Sequence, residues 1–153
     1  FDFCLRAKGY SFIFVPAAVV YFRPRSSLPA FFKQYYHYAR GDGKADLWRK
    51  RHTARYLTYL LALPTLLYLS VTRSPVWVTP LILGATIMFW TPYKRLLPAI
   101  KALGISERSQ AILLVPIIRV TGDLAKMIGY PVGVCWRWRH RHDIPNWRDQ
   151  LTS

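Results

Sequence analysis

Arg40-Gly41-Asp42-Gly43-Lys44 is the segment of this chain whose residue types are best suited to phosphate chemistry. Two cations flank a carboxylate bounded by glycines, so a loop here would offer backbone amides and positive charge to a diphosphate or a lipid phosphate. The same residues would also serve as a helix C-cap followed by a surface turn. Asp2 and Arg6, four apart, can form a carboxylate–guanidinium pair on one helical face, a structural role. Arg119, Asp123 and Lys126, at spacings of four and three, share a helical face in the same way. His140 and His142 have no third ligand nearby, so no metal site is expected.

The elements that must position these residues follow from apolar patterning. Residues 1–25 read as helix, Gly9, an apolar run from Ser11 to Val15, Pro16, and a second run from Ala17 to Phe22 closing at Pro24. That order is expected of an α/β domain reaching its end. In residues 26–55, Leu28, Phe31, Phe32, Tyr35 and Tyr38 or Ala39 recur at helical spacing, with Ser26 or Ser27 as cap and Pro29 in the first turn. An amphipathic interface helix and a basic juxtamembrane linker are expected there.

Residues 56–93 hold two uncharged runs, Tyr56 to Thr72 and Val76 to Tyr93, joined by Arg73-Ser74-Pro75. At 1.5 Å per residue each reaches about 26 Å, against a hydrocarbon core of about 30 Å. Two transmembrane helices are expected, kinked at Pro64, Pro80 and Pro92, with a re-entrant hairpin as the other arrangement. In residues 94–153 the apolar stretch from Ala111 to Trp136 carries Arg119, Asp123 and Lys126 and is interrupted by Pro116, Gly129, Pro131 and Gly133. An interfacial helix or a broken re-entrant element is expected there rather than a third crossing.

Net charge is +15, and within residues 56–93 only Arg73 is charged. By the positive-inside rule both termini face the cytoplasm, which also makes Cys4 and Cys135 reduced thiols. Trp48, Arg49, Lys50, Arg51 and Arg55, and later Trp136, Arg137, Trp138 and Arg139, form the aromatic and basic belts of a membrane interface. Their adjacency to apolar segments assigns the charge to anionic lipid headgroups, and no nucleic-acid partner is expected.

Several of these runs together resemble a known family. Asp2-Phe-Cys-Leu-Arg6 with Gly9-Tyr10, then Val15-Pro16-Ala17-Ala18-Val19-Val20-Tyr21, then Pro24-Arg25-Ser26-Ser27-Leu28 and Gln34-Tyr35-Tyr36, are similar to the end of a family 2 (GT-A type) glycosyltransferase domain. The resemblance implies a fold: the α/β remnant of a GT-A nucleotide-sugar-binding domain, then a mainly α-helical membrane region with two transmembrane helices and an interfacial helix. It also implies inverting transfer of a sugar from a nucleotide-sugar donor to a glycan or lipid-linked acceptor. A carboxylate base and a divalent metal, Mg or Mn, are expected for the full-length enzyme.

In the family an acidic pair precedes the x-Asp-x-x-x-Arg segment that Phe1 to Arg6 match. The base would therefore sit just before residue 1, beside Asp2, and the Asp-x-Asp motif further upstream. With no initiator Met and no signal peptide, the chain is expected to be a C-terminal fragment. No catalytic residue and no cofactor are expected within it, and alone it is expected to be inactive.

Gln34 with Arg40, Asp42 and Lys44 loosely resembles the family's Gln-x-x-Arg-Trp element and is the expected contact to donor diphosphate or acceptor. The spacing differs and no Trp follows Arg40, so processive polymerisation is not implied. The sequence 123–133 followed by Trp136-Arg137 is also similar to the C-terminal segment of some membrane-anchored members. Bacterial inner membrane is the setting the family implies. The competing reading is a small, basic, non-enzymatic membrane protein that binds lipid or serves as a scaffold.

Overall fold

The computed structural model describes Leu5, Arg6 and residues 8–142. Asp2 and Cys4, and with Asp2 the expected ion pair to Arg6, lie outside the described residues.

The first helix whose full length is described, α1 (Leu28–Lys44), starts where Ser27 turns extended and its hydroxyl accepts the Ala30 N–H at 3.4 Å, with Pro29 in the first turn. It stops where the Ala45 N–H caps the Gly41 carbonyl, after which Asp46 and Trp48 both take the left-handed conformation, φ 57° and 56°. Those two residues reverse the chain into α2 (Arg49–Thr72). A left-handed Trp costs roughly 1–2 kcal/mol. The Arg51 guanidinium lies 4.2 Å over its ring, and the His52 N–H caps its carbonyl at 3.1 Å.

Within α2, Leu57–Ala62 widens to a π-helical turn before the α-helix resumes at Leu63–Thr72. Pro64 supplies the reason: it has no N–H for the Leu60 carbonyl, and its ring would press on that carbonyl in a regular α-turn. Arg73 and Ser74 then turn the chain, with the Ser74 hydroxyl accepting the Val76 N–H, into α3 (Pro75–Ala102). After Gly104, whose N–H is accepted by Glu107 at 3.3 Å, α4 (Ile105–Arg139) runs as one helix of 35 residues. It stays continuous through Pro116, Gly129, Pro131 and Gly133.

The chain packs as a pair of parallel helices with a hairpin standing on it. Phe31 of α1 faces Gly122 of α4, Tyr36 faces Gly129, Arg40 faces Gly133, and Gly43 meets the backbone from Tyr130 to Val134. The two sequences therefore advance in step and in the same direction. Gly122, Ala125, Gly129 and Gly133 are buried on α4 and Ala39 and Gly43 on α1, and the two backbones approach closely where Gly129 meets Tyr36 and Gly133 meets Arg40 and Gly43. The α2–α3 hairpin joins this pair through the first turns of α2 and the later turns of α3: Tyr56 donates to the Met127 carbonyl at 2.7 Å and Tyr93 to that of Ile112 at 3.2 Å.

Little apolar surface is buried otherwise. Among the described residues the buried apolar side chains are Ala39, Ile100 and Ala125. The most apolar stretches of α2 and α3 contain no buried residue, and Val71 is 86% exposed. In water such a hairpin would expose a large apolar patch, whereas hydrocarbon solvates it. Both helices are long and apolar enough to cross a membrane.

The expected α/β remnant is overturned: no strand occurs among the described residues. The runs 11–15 and 17–22 are non-helical but unpaired, with Phe14 87% and Tyr21 95% exposed. Apolar, β-branched composition makes a strand only when a neighbour completes the hydrogen-bond ladder, and an isolated two-stranded pair is marginal at best. Here Ala18 instead bonds back to the Val15 carbonyl in a turn at Pro16-Ala17. The described chain is helical.

Candidate functional site

Three carboxylates organise the place where α1, α2 and α4 meet. Asp123 on α4, 3% exposed, accepts from Arg55 Nε at 2.8 Å and from the Tyr59 hydroxyl at 3.2 Å, with Arg119 Nε at 3.3 Å. Arg55 Nη1 also reaches His52 Nδ1 at 3.1 Å. Since a guanidinium only donates, Nδ1 accepts, and Nε2 is left to donate to Asp42 Oδ2 at 3.3 Å. The buried His52 ring stacks on Tyr130, centroids 3.8 Å apart. An unbroken line of polar contacts thus runs Asp123–Arg55–His52–Asp42 and links α4 to α1 through α2.

The third carboxylate, Asp46, is buried in the reversal before α2 and is gripped by the Arg49 and Arg137 guanidiniums. Burial acts to raise its pKa, but the hydrogen bonds and charges of Arg49 and Arg137 outweigh it and hold the carboxyl below the ordinary aspartate range. Burial pushes the Tyr130 phenol up. Lys126 is driven the other way, its ammonium disfavoured by burial and by the nearby Arg55 charge. No carboxylate among the described residues pairs with Lys126, whose Nζ lies 4.7 Å from the centre of the Tyr35 ring.

Beside this network α1, α3 and α4 enclose an open groove of ≈ 250 Å³. Phe31, Tyr35, Pro92, Val115 and Ile118 form its apolar walls, and Arg119, Gly122, Asp123 and Lys126 its polar side. It lies at the foot of the hairpin.

The residues singled out for diphosphate contact do not converge. Gln34 donates to the Tyr38 hydroxyl at 2.7 Å and accepts from Arg25 at 3.4 Å, in a separate shallow groove with Lys33 and His37. Arg40, Asp42 and Lys44 sit in the last two turns of α1, where the Gly41 to Gly43 amides belong to the helix. Asp42 holds His52, and Lys44 Nζ lies 4.1 Å from the centre of the Trp136 ring. Gly43 serves close helix packing: a Cβ there would strike the backbone of α4.

Of the expected interface belt, Arg49, Arg55 and Arg137 are taken up by Asp46 and Asp123. Trp48, Lys50, Arg51, Trp138 and Arg139 remain exposed, while Trp136 stacks on His140 with centroids 4.4 Å apart. Asp46, His52, Tyr59 and Tyr130 belong to the cluster although their types and spacing had not marked them. The available signal was scarcity: the chain has seven acids against 22 Lys and Arg, and Asp46 and Asp123 each hold two guanidiniums.

No group of three metal-ligating side chains occurs among the described residues. Asp42, Asp46 and Asp123 already face His or Arg partners, so they do not fit a divalent metal. Comparison with protein-family models, with curated proteins and with solved structures yields no match.

Proposed function

We propose that this chain is the membrane-seated C-terminal part of a family 2 glycosyltransferase, which as a whole transfers a sugar from a nucleotide-sugar donor to a glycan or lipid-linked acceptor with inversion. The observation that supports the membrane half is the α2–α3 hairpin, whose apolar sides face outward above a base rich in Arg and Trp. The glycosyl-transfer half is supported by the resemblance of residues 2–36 to that family. In this reading the acceptor hydroxyl attacks the anomeric carbon, a carboxylate supplied upstream of Phe1 takes its proton, and the nucleoside diphosphate departs.

The described residues contribute position rather than chemistry. In this reading parallel α1 and α4 form a platform that continues from the segment ending at residue 27, and the hairpin fixes that platform at the membrane. With basic ends and a nearly uncharged hairpin, both termini lie on the cytoplasmic side, where nucleotide-sugars are made, and a bacterial inner membrane is the proposed location. Of the residues expected to contact the diphosphate, Gln34 alone shares a groove with cations, Arg25 and Lys33, and in this reading those two meet the departing diphosphate.

The test is the reading frame upstream of Phe1 in its native locus, followed by donor-sugar assays on the complete product. The expected result is an in-frame extension of about 200 residues, one α/β domain in size, carrying Glu-Asp directly before Phe1, and transfer activity in membranes. A start codon within a few residues of Phe1 overturns the enzyme reading in favour of a non-enzymatic basic membrane protein.

A further inference from the structure

The groove between α1, α3 and α4 has a composition unlike that of an ordinary packing defect. Its walls are apolar, from Phe31 and Tyr35 on one side and Pro92, Val115 and Ile118 on the other. Its polar side carries two cations, Arg119 and Lys126, seven residues and hence two turns apart on one face of α4. Gly122 lies between them, and a Cβ there would already stand 3.4 Å from the Phe31 ring, so the absence of a side chain keeps the floor open.

The charge in this groove is not balanced from within. Asp123 is the carboxylate that lines it, and its oxygens are engaged by Arg55, Tyr59 and Arg119. Three cations, Arg55, Arg119 and Lys126, thus outnumber the two carboxylates that act on this region, Asp123 and the more distant Asp42. Arg119 remains 45% exposed on its side chain although it pairs with Asp123, and Lys126, although Asp123 and Asp42 act on its charge, lies against the Tyr35 ring and forms no ion pair with a carboxylate among the described residues. Uncompensated cations beside apolar walls are complementary to a molecule with an anionic head and an apolar body.

The depth of the site selects the kind of molecule. The groove lies next to Pro92, at the end of the uncharged run of α3 and directly before Lys94 and Arg95. On the membrane placement proposed above, that is where hydrocarbon gives way to headgroups. A soluble phosphate would leave the apolar walls unfilled, whereas a bilayer lipid supplies phosphate and acyl chain together.

We propose that this groove is a binding site for an anionic phospholipid, with the phosphate held by Arg119 and Lys126 and the proximal acyl chain lying against Phe31, Val115 and Ile118. The proposal rests on the membrane half of the proposed function and not on glycosyl transfer. A bound lipid would neutralise the surplus charge and fill the space between the platform and the hairpin, joining α1, α3 and α4.

The test uses the full chain in a zwitterionic detergent, titrated with dihexanoyl phosphatidylglycerol, dihexanoyl phosphatidylcholine or inorganic phosphate and read by intrinsic fluorescence and thermal unfolding. No sugar donor is present, so the outcome is separate from that of the enzyme reading. The expected result is saturable binding of the anionic lipid, at least tenfold tighter than of either other ligand. Lys126→Gln, which breaks no ion pair, is expected to weaken it at least tenfold, and Val115→Trp, which fills the groove, to abolish it. Arg139→Gln, an exposed cation on the same helix, is expected to leave it unchanged. Equal affinity for inorganic phosphate would make the site an anion site without lipid selectivity. Equal losses in Arg139→Gln and Lys126→Gln would reduce it to general surface charge. Undiminished binding by a folded Lys126→Gln protein would overturn it.

Discussion

At the residue scale, Asp46 and Asp123 are each shared by two guanidiniums whereas Asp42 holds the His52 ring, and the energetics of the three differ with what surrounds them. Arg55 is 15% exposed on its side chain and bridges Asp123 to His52, so it is a structural cation rather than a headgroup ligand. Asp46 offers a direct test through pH. Because its carboxyl titrates below the ordinary value of 3.8, the folded state favours its charged form. The stability this contributes is fully present above pH 3.8 and is lost as pH falls through the lower folded value. Asn tolerates the left-handed backbone of this position nearly as well as Asp, so Asp46→Asn isolates the charge. The expected outcome is a wild-type advantage over Asp46→Asn that is constant from neutral pH down to about 4 and shrinks on further acidification. Thermal unfolding of both proteins in detergent across that range checks it; an advantage that grows on acidification contradicts the grip of Arg49 and Arg137.

At the element scale, what holds α1 to α4 is the closeness of two backbones rather than the burial of large side chains. A methyl group on Gly129 would run into the Tyr36 carbonyl, and one on Gly133 into that of Arg40. Gly129→Ala is therefore expected to destabilise by about 1–3 kcal/mol, the usual cost of overpacking. Gly84, within α3, has nothing within 4 Å of a built Cβ, so Gly84→Ala is expected to stabilise by up to about 1 kcal/mol through helix propensity. Denaturant or thermal unfolding in detergent distinguishes the two, and equal effects would refute the close-packed seam. This scale also shows what sequence could convey. Ser27 and Pro29 marked the start of α1, and the charge-free runs marked α2 and α3, because caps and composition are local. The glycines of α4 read as interruptions when they are a packing surface, and that distinction needs a partner helix almost a hundred residues earlier. Likewise Gly41 to Gly43 read as a loop by composition, whereas the contact with α4 keeps it helical. The runs 11–15 and 17–22 had strand composition, but a strand is a property of a pair. Arg119, Asp123 and Lys126 were visible as one face, while Tyr59 joined them only because the hairpin brings α2 alongside.

At the scale of the whole molecule, the proposed membrane placement leaves the hairpin two arrangements, crossing the bilayer or entering and returning. Its uncharged runs reach about 26 Å, a few ångströms less than a typical hydrocarbon core of about 30 Å. A deficit of that size is met by local thinning and by snorkelling of flanking cations, at fractions of a kcal/mol per ångström. Arg73 at the tip and Lys50, Arg51, Lys94 and Arg95 at the base are placed to do so. A re-entrant loop would instead leave the polar turn Arg73-Ser74 in hydrocarbon, where its exposed backbone groups and guanidinium have no solvent. The described residues show no protein shell around that turn: Arg73 is exposed and Ser74 only partly covered. Crossing is thus favoured by the cost of the alternative, and single cysteines read it out. In a background with Cys4 and Cys135 changed to Ser, Ser74→Cys and Ser109→Cys are each labelled in sealed vesicles with a membrane-impermeant maleimide. Ser74, half-exposed in the turn between α2 and α3, and Ser109, exposed on α4, each react when their side of the membrane is presented. Labelling from opposite sides is expected, with Ser109 on the side that carries the basic termini. Labelling of both from the same side would make the hairpin re-entrant, and would move the groove at its foot no deeper than the headgroups, since Arg119 and Lys126 must still reach water or phosphate.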